Sequence, residues 1–361
     1  MLIETPYDGI EIHREEKIIF AKFLIPHQVI STCRVAGGLK DDMAYIYNHQ
    51  SCEPAGHHHK MTSIAVADPS EYHKMISRRY GLPPEACAAL GTAANMNNVC
   101  IKTYSFRNLS VTAVCTGGVE ANAGRATDPA SVIETENGFE KLEPQTPAPG
   151  PGTINTMIFI NLPLIPGAMV RSIMTATEAK SAVLQELAVN SRYSDKLATG
   201  TGTDQIAVAA AVTENKPLTS AGKHAKLGEL IGKSVYFAIK GALALQNSLT
   251  PSGQRSVKIH LERFGLTRQK MIEAVCSHLT KDDADLLRKN FMGIERDPIT
   301  VAAVAAIAHL KDKFTWGILP ESCWSEVMGA YAAQIACAVS GDYGRLADYR
   351  KILAPVKNNN H

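Results

Sequence analysis

No stretch of this chain is long and apolar enough to suggest a membrane span. Its most apolar late run, ITVAAVAAIAHL at 299–310, is short and rich in Ala. The first twenty residues, MLIETPYDGIEIHREEKIIF, lack the apolar core of a secretory signal, so a cytoplasmic protein is expected. No excess of one charge exists either: 37 basic against 35 acidic side chains leave a formal +2 with no basic patch. That argues against nucleic acid as a partner, and no membrane partner is expected. The eight cysteines form no C-x-x-C pair, and with no signal they read as reduced, mostly buried thiols. No internal repeat is evident, and neither H-E-x-x-H nor G-x-S-x-G occurs.

What is present is enough apolar material for a large core: 361 residues, 45% of them hydrophobic. Residues 10–23 hold two apolar runs around HREEK and predict a β-hairpin. Residues 29–32 predict a strand before the turn at Gly37-Gly38. Helices are predicted over 69–80 and 83–94, each with Pro near its start. Residues 99–105 and 109–115 are rich in β-formers around Phe106-Arg107-Asn108, a second hairpin. Residues 117–152 predict a long loop, followed by a buried strand over 154–162.

Residues 166–187 predict a long helix with Val170, Ile173, Met174, Thr177, Leu184 and Ala188 along one side. A strand over 206–212 precedes a second long helix over 226–246, with an apolar stripe of Leu227, Leu230, Ile231, Val235, Ile239 and Leu243. Hairpins first and long helices later predict an α+β fold, with a largely antiparallel or mixed β-sheet core and long packed helices. Residues 1–253 are taken as this core and 254–361 as a C-terminal helical extension, whose apolar character is compatible with a homo-oligomer.

Several segments carry groups suited to chemistry. TGTGTDQ at 199–205 sets Thr199, Thr201 and Thr203 between glycines ahead of Asp204. Glycines let backbone N–H groups approach an oxyanion, a phosphate or carboxamides, although a tight turn feeding the next strand explains the same residues. This is no dinucleotide fingerprint, since the loop precedes a strand. Gly222-Lys223-His224 is no P-loop, because Pro217 and His224 stand where Gly and Ser or Thr are required. His224 is a candidate general base with Asp204 to orient it, if the fold brings them together.

Glu178 shares a helix side with Arg171, Thr175 and Gln185, which reads as a ligand-facing group or as a solvated face. TGGVEANAGR at 116–125 brings Glu120, Asn122 and Arg125 onto flexible backbone, a mixture suited to amides and carboxylates. Cys52, Thr116 and Thr153 are further candidate nucleophiles. His57 and His59, with His49 or Glu53, make an alternative metal site that nothing downstream supports by spacing, and the main expectation is no metal.

Seven segments in order resemble the adenosylcobinamide amidohydrolase (CbiZ) family of corrinoid salvage. They are ISTCRVAGGL near residue 30, GTAANMNN at 91–98, TGGVEANAGRATDP at 116–129, GTINTMIFIN at 152–161, TATEAKSAVLQEL at 175–187, ATGTGTDQ at 198–205 and AGKHAKLGELIG at 221–232. The resemblance spans about residues 28–250 and implies hydrolysis of the amide that joins a corrin propionyl side chain to aminopropanol. The corrinoid is then the substrate and partner, and no cofactor is required. Its rim of carboxamides suits the polar segments above, with Glu120, Asn122, Arg125, Asn155, Arg171, Thr199, Thr201, Thr203 and Lys223 as the expected contacts.

The resemblance brings no catalytic residue with it. On chemistry and position alone, His224 and Glu178 are expected to move protons, Asp204 to orient, and the 199–203 amides and hydroxyls to hold an oxyanion or side-chain amides. Three alternatives stay open: a non-enzymatic corrinoid-binding or handover protein; another amidohydrolase with a Thr or Cys nucleophile, one form of which would cleave itself before Thr153; and a metal-dependent hydrolase.

Overall fold

A computed structural model describes residues 1–52, 64, 67–136, 138–142, 152–345 and 348. The chain divides into two compact units, Met1–Thr250 and Pro251–His361.

The first unit is built on two mixed sheets. Strands β1 (Leu2–Tyr7), β2 (Ile10–Glu15), β3 (Ile18–Phe23), β6 (Tyr45–Gln50) and β7 (Cys87–Thr92) form one, in the order β1-β2-β3-β6-β7. The other uses β4 (His27–Ser31), β5 (Gly38–Lys40), β8 (Cys100–Phe106), β9 (Leu109–Gly117), β13 (Ile154–Ile160) and β15 (Gln205–Ala211), in the order β5-β4-β15-β13-β9-β8. Within these sheets β6–β7 and β13–β15 pair in parallel and the remaining pairs are antiparallel.

Alternation along the strands sets the layers. Ile12, Ile19, Ile46 and Leu90 of the first sheet face Val29, Val114, Met157, Phe159 and Ala209 of the second, and all nine are buried. The opposite faces bury helices. Ile18, Tyr47 and Cys87 pack on Tyr72 and Ile76 of α1 (Pro69–Arg79). Val111, Ile158 and Val208 pack with α2 (Pro166–Glu186) and α3 (Lys226–Asn247). The result is a four-layer helix–sheet–sheet–helix sandwich, an α+β fold as predicted.

Both hairpins form, as do the strands and helices predicted near 29–32, 69–80, 154–162, 166–187, 206–212 and 226–246. All six residues of the predicted α3 stripe are buried. Three expectations are corrected. Residues 83–94 are no helix: a single turn at Pro84–Ala86 leads into β7, which pairs with β6 through six residues. The Ala-rich segment favours helix locally, but an apolar, two-sided site beside β6 wins.

Second, the predicted 117–152 loop contains β10 (Ala123–Gly124) and a hairpin of β11 (Val132–Thr135) and β12 (Gly138–Lys141). Third, the buried side of α2 is rotated from the predicted stripe. Leu184 of the stripe is buried and Ile173 packs against the core, but Val170 and Met174 are exposed, and Ala168, Met169, Ser172, Thr175, Ala176, Lys180 and Val183 are buried instead. Small side chains on that side let the helix lie close against its neighbours, which an apolar count alone does not register.

The second unit is helical. Its longer helices are α4 (Arg268–Cys276), α5 (Lys281–Arg296), α6 (Pro298–Thr315) and α7 (Trp324–Ser340). Val257, Val301 and Val304 form a small core. Buried Glu295 accepts from Ser256 Oγ at 2.6 Å and Arg268 Nε at 2.5 Å, and Arg263 grips Asp312 through two nitrogens at 2.8 and 2.7 Å.

Candidate active site

The inter-sheet space is apolar in its middle and polar at one end. Along β13, Met157 and Phe159 point between the sheets, so the alternation places Asn155 and Thr153 on the same side, toward the strand's start. Asn155 Nδ2 donates to Asn48 Oδ1 at 2.9 Å and to the Gly91 carbonyl at 2.8 Å, crossing from one sheet to the other. Asn48 Nδ2 in turn donates to Thr116 Oγ1 at 2.8 Å, and Gly91 N donates to Gln205 Oε1 at 2.9 Å. Asn155 Oδ1 is buried and has no hydrogen-bond partner among the described residues. A buried amide oxygen left this way costs stability and marks a place where a donor can be received.

Beside this network lies a denser group. The 199–205 loop folds back on Asp204, whose Oδ1 accepts from the Ile154 amide at 2.8 Å and from Thr201 Oγ1 at 2.5 Å. Its Oδ2 accepts from the Thr201 amide at 2.9 Å and from Lys180 Nζ at 2.5 Å. Both ionic side chains are nearly enclosed, Lys180 at 10% exposure and Asp204 at 9%. Gly200 is required here, since a Cβ would sit 2.5 Å from Asp204 Oδ2 and 2.8 Å from Lys180 Nζ.

The same loop reaches the start of β13. Thr203 Oγ1 lies 2.6 Å from Thr153 Oγ1 and donates to the Gly152 carbonyl at 2.8 Å. Asn122 Nδ2 donates to that carbonyl at 3.0 Å, and its own Oδ1 accepts from Tyr193 Oη at 2.8 Å. The two loops are tied by β10 pairing with β14 (Gly200–Thr201). Gly202 and Thr203 are exposed, whereas Thr153 is 5% exposed, so the group sits just beneath an open edge.

The sequence-predicted residues divide between this group and others. Asp204, Thr201, Thr203 and Asn122 belong to it, and Asn155 to the adjoining network. Thr199 Oγ1 accepts from the Ala126 amide at 3.0 Å, and Arg125 Nη1 donates to the Leu197 carbonyl at 3.0 Å, so both brace the loops. The Glu120 carbonyl accepts from Arg192 Nε at 2.7 Å, while its side chain is on the exposed surface.

Glu178 and Arg171 lie elsewhere on α2, and Lys223 and His224 in the turn just before α3. Glu178 and Lys223 pair at 2.9 Å, and the Arg171 guanidinium lies beside Gly222. The Lys223 hydrogen bond holds the Glu178 carboxyl below its ordinary range, which favours the ionised form. His224 is exposed, and none of the hydrogen bonds to Asp204 described above comes from it. Glu178 and Lys180 are two residues apart on a helix, about 200° around its axis, so they face different sides.

His49 lies in β6 with Nδ1 2.6 Å from Tyr72 Oη, and His57 and His59 fall outside the described residues. Among the described residues no group of three metal-ligating side chains occurs. Thr116 is engaged by Asn48. Burial pushes the thiols of Cys33 up to about 11 and of Cys87 and Cys115 to about 12, far from thiolate character at neutral pH.

Sequence reasoning missed Lys180, Asn48 and Tyr193. Lys180 had a signal: it is the one charged residue on the α2 side that carries Ala176, Val183 and Leu184. Asn48 and Tyr193 had none, because their roles depend on strands and loops distant in sequence.

This enclosed carboxylate–ammonium pair, beside two hydroxyls and an amide, offers the groups used in acyl-transfer chemistry on amides. The sequence profile of the adenosylcobinamide amidohydrolase family matches residues 3–251, nearly the whole first unit, and the chain belongs to that family. An uncharacterized protein of Methanocaldococcus jannaschii is 32% identical over 239 residues, covering 65% of this chain and 89% of the relative. Two solved structures show partial likeness at 10% identity. A Pyrococcus horikoshii OT3 protein aligns with a TM-score of 0.32 over 65% of this chain and 79% of its own. The L-aminopeptidase D-Ala-esterase/amidase of Ochrobactrum anthropi aligns with a TM-score of 0.30 over 66% and 83%. Scores this low bear on neither fold nor mechanism. Among the described residues no helix is long and apolar enough to cross a membrane.

Proposed function

We propose that this protein hydrolyses the amide between a corrin propionyl side chain and aminopropanol, converting adenosylcobinamide to adenosylcobyric acid. Water supplies OH to the carbonyl carbon and a proton to the leaving amine, so no redox partner or cofactor enters the balance. The observation that carries the reading is the family match across residues 3–251, which covers every residue of the Asp204–Lys180–Thr203–Thr153–Asn122 group.

The chemistry of that group supports it. An amide substrate needs donors for its carbonyl oxygen and an activated hydroxyl or water, in a setting of reduced dielectric. The group supplies hydroxyls, a carboxamide and a fixed ion pair at an open edge. Half-buried Arg171 and exposed Lys223 and His224 are assigned to contacts with the corrin's carboxamide rim. Incubating the purified protein with adenosylcobinamide tests this: adenosylcobyric acid and free aminopropanol are expected by mass spectrometry. Tight binding of adenosylcobinamide without either product would instead make it a corrinoid carrier.

A further inference from the structure

The Gly152–Thr153 peptide is held unlike its neighbours in β13. The Gly152 carbonyl, just ahead of the strand, accepts two side-chain donors, Asn122 Nδ2 at 3.0 Å and Thr203 Oγ1 at 2.8 Å. The hydroxyl of the next residue, Thr153, reaches the same Thr203 oxygen at 2.6 Å. Each hydroxyl has one proton, so one direction is consistent throughout: Thr153 donates to Thr203, and Thr203 donates to the Gly152 carbonyl. The surroundings are fixed on both sides. The Thr153 carbonyl accepts from Gly118 N at 3.0 Å, and the Ile154 amide donates to Asp204. Position 152 admits only glycine, since a Cβ would lie 2.9 Å from the Gly118 carbonyl oxygen and 3.0 Å from Asn122 Cβ.

We infer that the chain cleaves itself between Gly152 and Thr153, and that the freed Thr153 is the nucleophile of the mature enzyme. Thr153 Oγ1 adds to the Gly152 carbonyl carbon, and Asn122 and Thr203 stabilise the oxygen where negative charge develops. The C–N bond then breaks, the hydroxyl proton ends on the Thr153 nitrogen, and an ester joins Gly152 to Thr153 Oγ1. Water hydrolyses that ester, leaving a carboxylate on Gly152 and a free hydroxyl and α-amine on Thr153. Overall one water is consumed and one peptide bond is lost. An α-amine with an ordinary pKa near 7.7–8.0 is partly neutral at physiological pH. It can take the proton of its own hydroxyl when that hydroxyl attacks a substrate amide.

The nucleophile assignment rests on the hydrolase reading above, whereas the cleavage stands apart from it, because mass measurement needs no substrate. The full chain is purified under denaturing conditions, refolded with protease inhibitors, and followed by intact-mass spectrometry and N-terminal sequencing. Wild type is expected to give residues 1–152 and a second chain beginning at Thr153, with a rate independent of protein concentration. Thr153→Ala is expected to stay whole and Thr153→Ser to cleave. Asn122→Ala and Thr203→Val are expected to cleave about a hundredfold more slowly, the scale of losing one oxyanion donor.

Circular dichroism melts report whether each variant folds, and Thr153→Ser keeps the test decisive if Thr153→Ala does not. A folded wild type that remains a single chain overturns the inference, as does cleavage of Thr153→Ala or cleavage at another bond. A cleaved protein inactive on adenosylcobinamide fails the substrate reading alone. An uncleaved one that turns it over fails this inference alone.

Discussion

Lys180 Nζ lies 2.5 Å from Asp204 Oδ2, linking the middle of a long helix to the loop ahead of a parallel strand. Both side chains are about 10% exposed or less, so the pair is removed from water at its full desolvation cost. Removing one partner leaves the other charge buried without compensation. Lys180→Met is expected to lower unfolding free energy by roughly 3–5 kcal/mol in urea titrations. Asp204→Ala should cost at least as much, since it also strips acceptors from the Ile154 and Thr201 amides. A Lys180→Met loss below about 1 kcal/mol would mean that the pair is hydrated in solution.

Gly200→Ala tests the same contact from the backbone side. The new methyl would stand 2.5 Å from Asp204 Oδ2 and 2.8 Å from Lys180 Nζ, so the pair must separate or the loop must shift. Overpacking of this kind typically costs about 1–3 kcal/mol. Thermal melts are expected to fall accordingly, whereas Gly232→Ala on α3, where an added methyl meets nothing within 4 Å, should not destabilise.

Glu178 and His224 provide a functional contrast. The Glu178 carboxyl is exposed, paired with Lys223 and kept ionised, so it is a poor proton donor. If chemistry resides in the Asp204 group, Glu178→Gln and His224→Ala should keep kcat on adenosylcobinamide within about threefold, with any loss falling on KM. Asp204→Asn, by contrast, should lower kcat about a hundredfold or more. Loss of turnover in both Glu178→Gln and His224→Ala, with folding intact, would return proton transfer to them.

His27 predicts the acid limb of the stability curve. It is buried against Tyr7 and Phe23, with Nε2 2.7 Å from Tyr7 Oη and Nδ1 2.8 Å from the Ile25 carbonyl. Burial lowers its pKa from 6.5 to about 4. Between those values the unfolded chain binds more protons than the folded one, so stability rises with pH. The contribution is complete above pH 6.5 and is lost as pH falls toward 4, amounting to at most about 3 kcal/mol. His27→Gln should flatten the rise between pH 4.5 and 6.5, read from urea midpoints at fixed salt.

The hairpins of residues 10–23 and 99–115 were legible because their strand pairs are neighbours in sequence and their turns are marked. The strand Cys87–Thr92 was not. Its composition is helical, and only its parallel place beside β6, across an intervening helix, makes it a strand. Asp204, Asn122 and Thr203 stood out as polar residues on glycine-bearing loops. Lys180 was hidden because the inward side of α2 is lined by small residues more than by large apolar ones.

By itself, the sequence determined the long helices, the hairpins, the apolar strands and family membership, all properties of local pattern or of ordered motifs. Only the tertiary structure decided that Asn122, Gly152, Lys180 and Thr203 converge around one peptide bond and one carboxylate. The physical reason is that parallel pairing of β13 with β15 and the bridge of β10 to β14 join segments tens of residues apart. No local propensity encodes such closures, because their entropy cost is met by the whole buried sandwich.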